Sequence, residues 1–179
     1  MCACSAARPP PAGPAPAPSG AARPTLTESS GEITVRTHEP SPPAVATAHL
    51  DACDEGDVVS CHAAGLDAYY SARSPSNDRR AFELFERACN AGYAPSCNGL
   101  GLLHFEGRGT QKNAVEAARL YRAACLAGAS TGCEHLAQVL QNGEGVPQDG
   151  AAAKRAKTRA ECVFKASLKD GNVAACPSL

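Results

Sequence analysis

Six cysteines recur in two interleaved series. Cys53, Cys89 and Cys125 stand 36 residues apart, and Cys61, Cys97 and Cys133 repeat the same interval. A glycine three residues after the first cysteine of each pair keeps the register (Gly56, Gly92, Gly128), and Gly107-Arg108-Gly109 returns as Gly143-Glu144-Gly145. Self-similarity at a fixed period of this size marks a stack of small units, none of which can bury its apolar face alone. The spacing therefore predicts a solenoid.

Within one period the pattern is helix–turn–helix. Residues 78–91 place Ala81, Phe82, Leu84, Phe85, Ala88 and Cys89 at helical spacing, with Arg and Glu on the remaining face. Gly92 follows where a left-handed residue stops a helix. The next helix starts near Ala94-Pro95, proline being tolerated in a first turn. Equivalent helices are expected from Asp57 to Tyr70, Ser130 to Gln141, 113–127 and about 150–169, with an opening helix from Ala44 to Asp54. Asp57, Ser130 and Asn172 suit N-caps. With only four Phe, four Tyr and no Trp, the core must rest on Ala, Leu and Cys, and Tyr69, Tyr70, Phe105 and Tyr121 read as core filling. Gly65, Gly101 and Ala137 share one register, which predicts that helix backbones approach closely there.

Ten of the fourteen prolines fall within residues 1–43, among Ala, Gly, Ser and Thr. Such a segment buries too little apolar surface to offset its ordering entropy, so it reads as a disordered, partly polyproline-like tether. Residues 44–179 form the solenoid. The sequence Met1-Cys2-Ala3-Cys4 has neither a basic nor an apolar leader region. A cysteine at the tip of such a tether looks like the mature end of a bacterial lipoprotein, with Cys2 or Cys4 acylated; a free terminal thiol pair is the competing reading.

Leu100-Gly101-x-x-His104-x-x-Gly107-x-Gly109, then Ala117-Ala118-x-Leu120-Tyr121-x-x-Ala124 closing on Gly128, resembles the Sel-one-like repeat (SLR) family. Gly143-x-Gly145-Val146-Pro147-Gln148-Asp149 is similar to that family's inter-helix loop. The Cys-x7-Cys spacing resembles the cysteine-rich secreted type, the Helicobacter cysteine-rich protein group. The resemblance covers about residues 44–177 and implies an all-α fold: an α/α-hairpin right-handed superhelical solenoid related to TPR arrays. Two departures stand out. The first loop, Ser71 to Asn77, lacks both glycines, and Ala68 and His104 stand where the family usually has Tyr.

Each cysteine pair puts one residue in the last turn of a helix and the other in the first turn of the next, antiparallel helix. The turn brings them within reach of a disulfide. Cys53–Cys61, Cys89–Cys97 and Cys125–Cys133 are the expected bridges, each contributing about 2–3 kcal/mol by closing a short loop. A six-residue insertion within Val163 to Asp170 would carry Cys162 away from Cys176 unless it bends, and Cys162–Cys176 is the fourth expected bridge on condition that it does. Free core cysteines and structural zinc are the alternatives. Fixed pairing offsets weigh against the first, and the absence of Cys-x2-Cys spacing weighs against the second. No metal or other cofactor is expected. Disulfides imply an extracytoplasmic site: periplasm, cell surface or medium.

The net charge of −1, with no block of Lys or Arg, argues against nucleic-acid binding, and no apolar run approaches the ~18–20 residues of a membrane span. The cysteine-rich group carries β-lactamase and penicillin-binding associations, yet no serine has a lysine three positions on, and Lys157-Thr158 is followed by Arg159 rather than glycine. No catalytic residue is assigned. The reading is a non-catalytic protein–protein interaction scaffold, with a weak β-lactamase or peptidoglycan-fragment binder and a mitochondrial intermembrane-space assembly factor as alternatives. A solenoid groove would be lined by helix positions that vary between repeats. The candidates are His62, Asn98 and Glu134, and Leu66, Leu102 and Gln138. The protein or peptide that would occupy it is not identified by sequence.

Overall fold

Helix ends in this chain are set by a few residue types, and they divide it almost completely. The computed structural model describes residues 44–169 and 171–179. Its helices are α1 (Ala44–Asp54), α2 (Val58–Tyr70), α3 (Pro75–Asn90), α4 (Ala94–Glu106), α5 (Ala114–Leu126), α6 (Ser130–Asn142) and α7 (Gly150–Ser167), followed by a single 3-10 turn, Val173–Ala175. The tether and the acylation candidates Cys2 and Cys4 lie outside the described residues. Among the described residues there is no strand, and no helix is long and apolar enough to cross a membrane.

Two kinds of helix alternate. Helices α3, α5 and α7 begin with side-chain caps: Ser74, Asn113 and Asp149 accept from the amides of Asn77, Glu116 and Ala152. α3 therefore starts at Pro75, three residues before the expected Asp78. The glycine-free loop hides this start, and Ser74 followed by a first-turn proline supplies it. Of the others, α2 is capped by Asp57, but α4 and α6 begin after Tyr93 and Ala129 with no side-chain cap. Ser130 is thus the first residue of α6 and not its cap. A tight turn that closes the preceding helix leads directly into each of these two. Gly92 adopts φ +87°, which lets the amide of Tyr93 reach the carbonyl of Ala88 at 3.0 Å.

Each helix packs on its sequence neighbours, and α4 and α5 also touch α6 and α7. The result is a linear array whose core is a series of clusters. Phe85 lies among Ala68, Ala81, Leu100, Leu103 and Leu120. Tyr121 lies among Ala117, Ala118, Leu136, Ala137 and Val139. Both rings are 1% exposed. Tyr70, expected in the core, is 78% exposed.

The recurring small residues serve these rings. A Cβ added at Gly65 would lie 2.7 Å from the Phe85 ring, and one at Gly101 would lie 2.8 Å from Tyr121. The close approach is therefore ring against helix rather than backbone against backbone. Where the ring's equivalent is Lys157, the facing residue is Ala137, fully buried against Ala156 and Ala160. The loop glycines act differently. A Cβ at Gly109 would fall 2.3 Å from the carbonyl oxygen of Asp78, and one at Gly145 would fall 2.0 Å from that of Ala114. The second glycine of each loop thus lies directly on the first turn of the preceding capped helix.

Candidate functional site

The helices α2, α4 and α6 stack along one side of the array and carry the six groove candidates. Their side chains divide into those that join one repeat to the next and those left outward. His62 Nδ1 shares a hydrogen bond with Ser96 Oγ of α4 at 2.9 Å, and its ring lies against Phe85 and Tyr93. One repeat on, His135 Nδ1 donates to Asn98 Oδ1 at 2.7 Å while its ring tilts over Tyr121. Burial pushes both imidazoles below their ordinary pKa, since the charged form loses solvation. Neutral histidines therefore serve as interhelical links here. His62 and Asn98 contribute one edge each to the surface and spend the other on this ladder. Leu66 and Leu102 are half-buried, while Glu134 and Gln138 are exposed.

Two buried arginines, to which the sequence assigned no role, tie neighbouring hairpins together. Arg108, between the two loop glycines, is 8% exposed. Its guanidinium pairs with Asp78 at 2.7 Å, donates to the Tyr69 carbonyl at 2.9 Å and stacks 4.0 Å over the Tyr69 ring. It joins the α4–α5 loop to both helices of the previous hairpin. Arg159 of α7 is 7% exposed and donates to four carbonyls: Cys125 and Leu126 at the end of α5, and Cys176 and Pro177 in the C-terminal segment. It answers the unpaired carbonyls of a helix C-terminus with a cation.

The cysteines form four bridges. Cys53–Cys61, Cys89–Cys97 and Cys125–Cys133 hold their Cα atoms 4.5, 4.6 and 4.5 Å apart. Cys162–Cys176 spans 5.6 Å. The insertion does lengthen α7, to Ser167, but the chain then reverses. The Gly171 amide bonds back to Ala166, and the short turn at Val173 returns Cys176 alongside the helix. Among the described residues no group of three His, Cys, Asp or Glu side chains is placed to hold a metal ion.

The Sel1 repeat family matches residues 58–93, 94–128 and 130–155, more than half of the chain. The first two segments enclose α2–α3 and α4–α5, and the third takes in α6 and stops at residue 155, within α7. The chain belongs to the Sel1-repeat family. Solved structures similar to this Sel1-repeat protein include c5321, described as a protective antigen of uropathogenic Escherichia coli displaying an SLR fold. That match has 23% identity and a TM-score of 0.62, and covers 72% of this chain and 26% of that one. Against a Sel1 repeat protein from Oxalobacter formigenes the identity is 20% and the TM-score 0.58, over 74% of this chain and 98% of that one. Against Helicobacter pylori cysteine rich protein B they are 21% and 0.51, over 72% and 88%. The chain spans about a quarter of the length of the first of these. No curated protein matches it in sequence. Set against the family's repeat limits, Cys89–Cys97 and Cys125–Cys133 each cross a repeat boundary, and Cys53–Cys61 ties α1 to the first matched repeat.

Proposed function

We propose that this Sel1-repeat protein is a non-catalytic protein–protein interaction scaffold that works outside the cytoplasm. The observation that carries the reading is register. On a framework held constant by cysteines, glycines and buried rings, one position of the stacked helices changes at every repeat (His62, Asn98, Glu134) and a second is leucine twice and then glutamine (Leu66, Leu102, Gln138). Half-buried Leu66 and Leu102 beside the exposed carboxylate and amide of Glu134 and Gln138 suit an extended segment with apolar and hydrogen-bonding side chains. The export half of the reading is supported by the four disulfides, which persist in oxidising compartments and are rare in a reducing cytosol. Display through a lipid on Cys2 or Cys4 belongs to the same proposal.

Two measurements test it. Non-reducing peptide mapping of natively purified protein should find the eight cysteines paired and report the mass of the N-terminal peptide. Free thiols throughout would overturn the export reading. Capture from a cell-envelope fraction should give a partner that is lost with Leu66→Glu/Leu102→Glu while the circular dichroism is unchanged. Equal capture by both proteins would remove the groove from the reading.

A further inference from the structure

The two ends of the array carry opposite charge. Residues 44–72, spanning α1 and α2, hold Asp51, Asp54, Glu55, Asp57 and Asp67 and no Lys or Arg. Three of these acids are engaged locally: Asp54 with Arg87, Asp67 with His49, and Asp57 as the cap of α2. Asp51 and Glu55 are exposed and make no ion pair among the described residues. At the other end α7 carries Lys154, Arg155, Lys157, Arg159 and Lys165 against Glu161 alone, and Lys169 follows it. All of these except Arg159 are exposed.

The placement of the α7 charges matters. In α5 the side chains that receive the next repeat include Ala118, Tyr121 and Cys125, which meet α6 through the Tyr121–His135 contact and the Cys125–Cys133 bridge. One period on, those positions are Lys154, Lys157 and Glu161. The face on which a further repeat would stack is thus basic in α7, and it runs on into Phe164 and Leu168, 57% and 74% exposed. Beside it, Thr158, Glu161, Lys165 and Lys169 of the α7 side and Asn172 of the returning segment line a shallow trough in which the two lysines outnumber the one acid.

We propose that α7 is the docking surface for a second copy of this chain, which presents its acidic α1–α2 end. The charge complementarity lies within one sequence, and its two halves lie at opposite ends of a linear array, so the contact is heterologous and repeats head to tail. Phe164 and Leu168 supply the apolar area, and the lysines supply orientation and salt sensitivity. This goes beyond the scaffold reading, because it concerns the ends of the array and leaves the groove free.

Sedimentation of the full chain, oxidised, at ~10 mM and ~0.3 M salt tests the idea, since the second condition shortens the screening length several-fold. Concentration-dependent association is expected at low salt only. Lys154→Glu/Lys157→Glu/Lys165→Glu and Asp51→Lys/Glu55→Lys should each weaken it about tenfold or more. Mixing the two variants should restore it, because each then offers the end the other needs. Circular dichroism and intact disulfide mass establish that both variants fold. A monomer at every concentration, association indifferent to both variants, or failure of the mixture to re-associate would overturn the proposal. So would a monomeric wild type that binds anionic vesicles through α7.

Discussion

Gly65 provides a test of why small residues recur in register. In an ordinary helix, Gly→Ala stabilises by about 1 kcal/mol through backbone entropy. Here the new methyl would lie 2.7 Å from two atoms of the Phe85 ring, and the ring has nowhere to go. Its far edge is held by α4, where a Cβ at Gly99 would lie 3.0 Å from it, and it is 1% exposed. Overpacking of a closed site costs about 1–3 kcal/mol. Gly65→Ala should therefore destabilise by about 1 kcal/mol net, against its propensity. Guanidinium unfolding of the oxidised protein measures this. The decisive comparison is the same substitution in a Phe85→Ala background. With the ring gone, only the propensity gain remains, and Gly65→Ala should stabilise by up to about 1 kcal/mol. A stabilising effect in the wild-type background, or no change of sign between backgrounds, would refute the account.

Other perturbations report on the remaining contacts. Arg108→Ala leaves the nearly buried Asp78 carboxylate without its cation and should cost about 2–4 kcal/mol in chemical unfolding, with Arg108→Lys recovering only part, because a single ammonium cannot pair, stack and reach the Tyr69 carbonyl together. Replacing Cys162 and Cys176 by Ser should cost about 2–3 kcal/mol and raise amide exchange in residues 171–179 selectively, leaving the first three hairpins protected. Because burial lowers the His62 and His135 pKa, the unfolded chain protonates first on acidification. Their stability contribution is thus complete above the unfolded value of about 6.5 and is lost as pH falls from there through the folded value; His62→Gln/His135→Gln should flatten that part of a melting-temperature profile. Purified protein should leave the chromogenic β-lactam nitrocefin intact, and turnover at enzymatic rates would return the β-lactamase alternative.

The period and most helix limits were legible because they are written in residues with few substitutes. A glycine at φ +87° and a cysteine at a fixed offset announce a turn whatever surrounds them. The start of α3 was hidden because its loop uses no glycine, and Ser74 becomes a cap only once Pro75 is known to be helical. Arg108 and Arg159 were missed for a different reason. A sequence shows a charge but not the carbonyls that gather round it, and both arginines bind backbone oxygens supplied by other hairpins. Gly107-Arg108-Gly109 offered a faint signal, since the middle residue of a loop flanked by two glycines has room to turn inward. The groove register could be read as positions. That His62 and Asn98 are partly occupied by an interhelical ladder depends on Ser96 and His135, residues that carry no mark in the sequence.

The position of the staples has a mechanical consequence. Pulled from its two termini, an ordinary helical-hairpin stack peels open one unit at a time and lengthens with each step. In this protein each of the first three bridges shorts out eight residues of backbone, roughly 28 Å of chain at ~3.5 Å per residue that tension cannot draw out. Because the shunts fall at the joints between units, load crosses from α1 to α2, α3 to α4 and α5 to α6 through sulfur, and extension is drawn from the helices and the unbridged loops within each unit rather than from those joints.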